Sequence, residues 1–215
     1  AIQTKMRDDL IEAEKLKQQL SLNLLQQQVN PHFLYNTLDN ICALAELDEK
    51  ETLIQLVMNL SSFYRSSLSN GKMHISIGQE LEISRAYLEI LQIRYFHKFD
   101  FTITCPEALK NYSCIKLLLQ PILENSIYHG IKGLDRHGIL HIEAEDAGDC
   151  IRFTISDNGR GFSKEDYEKI WQQDADHFGI KSIQQRILLY YGPGYGLSME
   201  SPQTGGCITV ITLPK

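Results

Sequence analysis

Over residues 1 to about 95, apolar positions recur at spacings of three and four, the period of a helix that buries one face. Ile2, Met6, Leu10, Ala13, Leu20 and Leu24 follow it in a stretch rich in helix formers. The heptad is too irregular for a coiled coil, so the segment reads either as a helix continuing from something upstream or as a solvated helix folding back on its own domain. On a second helix, Leu34, Leu38, Ile41 and Ala45 share one side, and His32, Asn36, Asp39 and Glu46 share the other. A third covers 51–68, with Leu53, Val57, Leu60 and Tyr64 on one face and Asn59, Ser62 and Arg65 away from it. SNGK at 69–72 breaks the pattern. Ser76 with Gln79 has the spacing of a capping box, opening a helix that ends near Tyr95.

Near residue 96 the period changes. FDFTIT at 99–104 alternates as a strand does. NYSCIKLLLQPILENSIYHGI, 111–131, returns to a helical pattern. Leu140, Ile142 and Ala144, then Ile151, Phe153 and Ile155, alternate on either side of Ala147-Gly148, the signature of a hairpin. SKEDYEKIWQQ and IKSIQQRILLYY read as helices, and YGLSMES and CITVITL as a final strand pair joined by PQTGG. The expected architecture is α+β in two domains, helices over 1–95 and an α/β unit over 96–215.

Composition narrows the function. A net charge of −6 argues against a broad nucleic-acid surface, and no apolar run reaches the roughly 18 residues of a membrane span. No signal peptide is visible. The five cysteines, 42, 105, 114, 150 and 207, are scattered without a CxxC, so a reducing cytosolic compartment fits and neither a disulfide framework nor a zinc site is expected.

Two places invite chemistry. In QQQVNPHFLYNTLDNI, Pro31 sits inside a helical pattern, where a kink costs about 3 kcal/mol if nothing compensates. It would loosen the backbone beside His32, which stands on the polar stripe. That histidine is either surface decoration or an exposed nucleophile with room for a bulky electrophile. In LLLQPILENSIYHG, His129 falls about 40° from Asn125 on a helix, while Leu119, Leu123 and Ile127 face the other way. The pair either projects toward a cleft or is solvated. Downstream, the strand IRFTIS runs into DNGRGF at 157–162, either an ordinary turn or a carboxylate followed by glycines that let backbone approach a ligand.

QVNPHFLYNTLDNI closely resembles the phosphoacceptor box of LytS- and YesM-type sensor histidine kinases, through Gln28, Asn30, Pro31, His32, Phe33, Leu34, Asn36 and Leu38. Asp39 departs from a more usual Asn. The likeness continues through LSSFYRSSLSNG and ELEISRAYLEILQIRY. LENSIYHG and DNGRGF resemble the N box and first glycine box of the GHKL ATP-binding fold. The resemblance implies that His32 is the phosphoacceptor, Asn125 a Mg²⁺ ligand and His129 a phosphate-side contact. Asp157 would read adenine, and Gly159 and Gly161 would shape the pocket. Glu124 would either orient or polarise something there or be solvated.

HFGIKSIQQRILLYYG aligns with the second glycine box through Gly179, Arg186 and Tyr191-Gly192, but His177 replaces a glycine and Ser182 an asparagine. The lid over 163–178 is therefore expected to be held differently. Ile115 stands where proline commonly opens the N-box segment. Trp171 in the lid reads as a packing residue, and His137 with His141 lacks a third metal ligand.

The implied fold is a helical dimerisation hairpin, giving a four-helix bundle in the dimer, followed by a GHKL (Bergerat-type) α/β sandwich. The implied reaction is ATP·Mg²⁺-dependent autophosphorylation of His32, then transfer to an aspartate of a response regulator, in this subgroup one with an AraC-like output. Phe33 stands where many such kinases carry an acid; Asp39 or Glu124 would substitute as proton acceptor. The homodimer would bury Leu34, Leu38, Ile41, Leu53, Val57 and Leu60. Membrane-spanning helices and a sensor are expected upstream, making this the cytoplasmic part of a membrane receptor. Three alternatives stay open: a catalytically weak dimeric signalling module with a degenerate lid, a protein-serine kinase that would not need His32, and a gated ATPase. The last uses a glutamate one turn before the asparagine, where this chain has Pro121.

Overall fold

A computed structural model describes residues 31–67, 73–171 and 178–215. The expected helix over 2–24, the break at 69–72 and His177 lie outside the described residues. Residues group into two units, 1–49 and 50–215.

In the first unit, α1 spans Pro31–Glu46 and is described from its proline onward. Within the single chain its buried positions lie off the side expected to meet a second copy. Phe33 and Thr37 are buried, while Leu38 is 44% exposed and Ala45 is exposed. Thr37 satisfies its hydroxyl by donating to Phe33 O at 2.7 Å, which lets a polar side chain sit buried.

In the second unit, α2 (Lys50–Ser67) packs on α3 (Ile77–Arg94). The face it buries is Leu56, Asn59, Phe63 and Ser67, with Phe63 5.8 Å from the Tyr87 ring. The Leu53/Val57/Leu60/Tyr64 face, expected to meet a second copy, is left partly uncovered within the single chain, with Val57 43% exposed. Asn59, placed away from the apolar face by the period, is buried by this contact. Asn59 tolerates burial because its Oδ1 accepts from Gln55 Nε2 at 2.8 Å. The expected capping box is present. Ser76 Oγ accepts from Gln79 N at 3.2 Å, and Gln79 Oε1 accepts from Ser76 N at 3.0 Å.

The sheet has the order β2-β4-β5-β7-β6, from β2 (Phe99–Thr104), β4 (Gly138–Asp146), β5 (Cys150–Asp157), β6 (Gly196–Glu200) and β7 (Cys207–Pro214). β2 runs parallel to β4 and the other neighbours are antiparallel. The foreseen hairpin pairs Ile142 with Ile155 and Ala144 with Phe153. Period-two alternation sends Leu140, Ile142, Phe153, Ile155, Ile211 and Leu213 into one buried layer. α3, α4 (Gln120–Asn125) and α6 (Phe178–Tyr191) supply the opposing layer, through Leu88, Leu91, Ile122, Leu123, Ile183 and Ile187. Each such side chain contributes about 1.5–3 kcal/mol of burial.

Two expectations need correction. A short strand β1, His74–Ser76, interrupts the region read as wholly helical. It pairs with β3, Ser113–Ile115, in a segment also read as helix. The helix begins only at Gln120, after Leu117 takes a φ of +55°. A three-residue strand offers too few positions for its alternation to outweigh the run KLLLQ that follows.

Candidate functional site

α4 ends at Asn125 and continues as a wider π-helical turn, Ser126–Ile131. Leu119, Leu123 and Ile127 are buried, as their spacing required. Asn125 and His129 stay together on the other side and line an open cavity. Asp157 and Gly161 line it too. Four of the residues singled out in the sequence thus meet in one place.

Asp157 ends β5. Its Oδ1 accepts from Gly159 N at 2.8 Å and Cys207 N at 3.3 Å, while Oδ2 is buried without a hydrogen-bond partner. Burial pushes the carboxyl above its ordinary value, and the Ser126 side chain and those N–H groups only partly oppose this. A buried acceptor with spare lone pairs at a cavity wall suits an amino group such as that of adenine. The neighbouring Asn158 is turned outward. It accepts from Ile139 N at 2.8 Å and donates to His137 O at 3.1 Å, anchoring the turn.

The glycines are there for space. A Cβ on Gly159 would come within 2.6 Å of Gly130 Cα. That close approach lets Arg160 N donate to Gly130 O at 3.1 Å and Gly206 N donate to Gly159 O at 2.9 Å. Gly161 has φ +71°, and a Cβ there would collide with Ser201 Oγ. Three segments are so drawn together: the N-box helix, the 157–161 turn and 206–207. The last was read only as a strand connection. Its glycine pair, of residues that favour positive φ, was the available signal, but it carries no mark of which strand end it meets.

Gly179 does not line the cavity. It lets α6 approach α4, since a Cβ on Gly179 would lie only 3.2 Å from Pro121 Cβ. Ser182 is half-buried and outside the cavity wall. Ile115 donates its N–H to Tyr191 Oη at 2.9 Å, a bond that proline could not make. Glu124 is not turned to the cavity with Asn125. It lies toward α3, where burial foremost, and then its charge, raises the Tyr87 phenol. Burial also raises the Glu124 carboxyl itself.

The described part of the lid is a helix α5, Lys164–Trp171, opened by Ser163 and Asp166. Asp166 N donates to Ser163 Oγ at 3.1 Å, and Ser163 N donates to Asp166 Oδ2 at 3.2 Å. Phe162 stacks on Tyr167 at 5.8 Å, and Trp171 meets Tyr167 edge-on at 6.1 Å. Arg160, Asp166 and Ile170 add to the cavity wall, and sequence reasoning had not placed them. His137 bonds Asp100 at 3.0 Å and His141 bonds Thr102 at 2.6 Å, so each imidazole has a local partner.

In the other unit, His32 is exposed, and its Nε2 lies 3.0 Å from Asn36 Nδ2 one turn on.

Residues 20–99 match the family described as Histidine kinase, and residues 112–215 match that described as Histidine kinase-, DNA gyrase B-, and HSP90-like ATPase. The chain belongs to the LytS/YesM-type sensor histidine kinases. Its second region is the ATP-binding domain of that family. The sensor histidine kinase YesM of Bacillus subtilis is 32% identical over 97% of the chain, and the sensor protein LytS of Staphylococcus haemolyticus 28% over 91%. The chain spans about a third of those relatives, 36% and 34% of their lengths. The fold is similar to that of the histidine kinase ThkA, solved in complex with the response regulator protein TrrA. The TM-score is 0.53 at 16% identity, covering 96% of this chain and 66% of that one. Among the described residues, no helix is long and apolar enough to cross a membrane.

Proposed function

We propose that this chain is the transmitter of a two-component sensor, phosphorylating itself on His32 from ATP and passing the phosphoryl group to a response-regulator aspartate. The observation that carries the reading is the cavity where Asn125, His129, Asp157 and Gly161 converge. The buried, partnerless Asp157 Oδ2 suits the adenine amino group, and the glycine-tight turn leaves room for its ring. Asn125 offers a side-chain oxygen to a Mg²⁺ ion, with His129 on the phosphate side and Gly159 and Gly179 holding the walls. The metal, when bound, neutralises charge on the phosphate oxygens.

A lone pair on a His32 ring nitrogen attacks the γ-phosphorus, forming an N–P bond as the bond to the β-phosphate bridging oxygen breaks and ADP leaves. The displaced imidazole proton passes to Asp39, exposed on the same helix.

The remaining assignments extend the same reading. The functional division falls at 95/96. Two copies associate through apolar side chains left exposed on the described helices, Leu38 and Val57 among them. A membrane sensor segment precedes this region, which works at the cytoplasmic face, and the regulator carries an AraC-type output. ThkA's recorded complex with TrrA supports a receiver-domain partner. The test is γ-labelled ATP followed by mapping of the modified residue. Acid-labile, base-stable label on His32, lost in His32→Ala, is expected. No label on either, under conditions where the intact receptor works, supports the weak signalling module. Phosphoserine on a partner supports the serine kinase.

A further inference from the structure

The loop before α4, residues 116–119, is held from both sides by buried charges that phosphoryl transfer does not use. Glu80, in the first turn of α3, is fully buried. Its Oε2 accepts from Leu117 N at 2.8 Å and its Oε1 from Leu119 N at 2.9 Å. Arg186 of α6, also buried, donates from Nη1 to Leu117 O at 3.1 Å and from Nη2 to Lys116 O. The carboxylate takes the loop's N–H groups and the guanidinium takes its carbonyls. Between them sits Leu117, whose φ of +55° is left-handed, a conformation unfavourable for a side-chain-bearing residue. Both of its backbone polar groups are gripped, which holds it there.

We propose that Glu80 and Arg186 are positioning residues for the nucleotide site, setting the pose of the helix that carries Asn125 through their joint grip on the 116–119 loop. This rests on the reading of the cavity as an ATP·Mg²⁺ site.

The connection is short. Leu119 is the residue that opens α4, and Ile122 and Leu123 each donate their N–H to its carbonyl at 3.0 Å. Asn125 is the last residue of that helix, so a shift of Leu119 moves it bodily. Desolvating two charges is expensive, and a well-packed apolar pair would close the same space without that penalty. What the charged pair adds is direction: four hydrogen bonds specify the backbone of one loop. Burial drives the Glu80 carboxyl up and the Arg186 guanidinium down, each opposed by the other's charge and, for Glu80, first by the loop N–H groups.

The grip acts on one end of the cavity. Asn125 and His129 ride on the clamped helix. Asp157 ends β5, and although the Ser126 side chain reaches it from the clamped helix, Gly159 N and Cys207 N hold it from outside that helix. Loosening the clamp therefore weakens recognition most at the metal and phosphate end, which rides wholly on the clamped helix, and less at the adenine end, which Gly159 and Cys207 also hold.

Calorimetric titration of the wild-type chain, Glu80→Gln and Arg186→Lys with ATP·Mg²⁺ and, separately, with adenosine tests this. Glutamine keeps the shape of Glu80 but loses one acceptor, and lysine keeps the charge of Arg186 but loses its planar fork. Both variants should bind ATP·Mg²⁺ about tenfold more weakly, the lower end of what lost supporting contacts cost a metal site. Adenosine binding should fall by clearly less, under about threefold. Unchanged ATP·Mg²⁺ affinity overturns the inference, and so does a parallel loss of both ligands with a lower Tm, which marks a purely structural pair. If Glu80→Gln does not fold, Arg186→Lys decides by the same two outcomes. A wild-type chain that binds neither ligand overturns the nucleotide reading and the inference with it. Wild-type binding of both with variants equal to it overturns the inference alone.

Discussion

Asp157 illustrates how a single residue trades stability for recognition. Its carboxyl is buried, with one oxygen bonded to two backbone N–H groups and the other left over. Because burial raises its folded pKa above the unfolded value, about 3.9 for aspartate, ionising it costs stability once the pH rises past that value. Below it, both states are protonated and the cost vanishes. Asp157→Asn should therefore unfold at about the wild-type temperature near pH 3 and at a higher temperature at pH 7, by differential scanning of the nucleotide-free protein. The same variant puts an N–H₂ where the proposed adenine contact needs an acceptor, and ATP affinity should fall at least about tenfold, the loss of one charge-assisted hydrogen bond. A variant destabilised at pH 7 would count against this account.

At the scale of elements, the decisive features are where helices start and which face they bury. α3 starts at a complete capping box and carries Glu80 within its first turn, so its start also sets the 116–119 clamp. Ser76→Ala removes the acceptor for Gln79 N and should cost about 1 kcal/mol, read as a lower urea midpoint with an unchanged m-value. The box was legible because its four-residue spacing is local. The strands β1 and β3 were not, because each is three residues long and forms only by pairing with the other across the sequence. The same limit applies to α2. The period singled out Leu53, Val57, Leu60 and Tyr64, whereas contact with Tyr87 and its neighbours on α3 buries Leu56 and Phe63.

At the scale of the whole molecule, apolar side chains remain exposed on α1 and α2. Leu38 is 44% and Val57 43% exposed, with Ile54 and Met58 similarly uncovered. Such exposure is costly for a chain that stays alone. Leu38→Glu and Val57→Glu should each shift the chain from dimer toward monomer in sedimentation experiments while leaving ATP binding in place. Monomeric wild type at micromolar concentration would remove the dimer from the proposal. Together with the label on His32, this separates an assembled kinase from an isolated ATP-binding lobe.

What the amino-acid order determined by itself was whatever depends on near neighbours: the helical and alternating periods, the capping box, the hairpin register, and the pairing of Asn125 with His129 on one helical face. It also carried the family likeness, since the histidine and glycine boxes are contiguous strings. Tertiary structure decided what depends on distant segments meeting. It brought 206–207 to Asp157, turned Glu124 toward α3 rather than the cavity, chose the buried side of α2, and closed Glu80 and Arg186 around a loop 37 and 69 residues away. The physical reason is the same throughout. A period reports which residues share a face, but burial and hydrogen bonding depend on what that face meets, and that partner lies elsewhere in the chain.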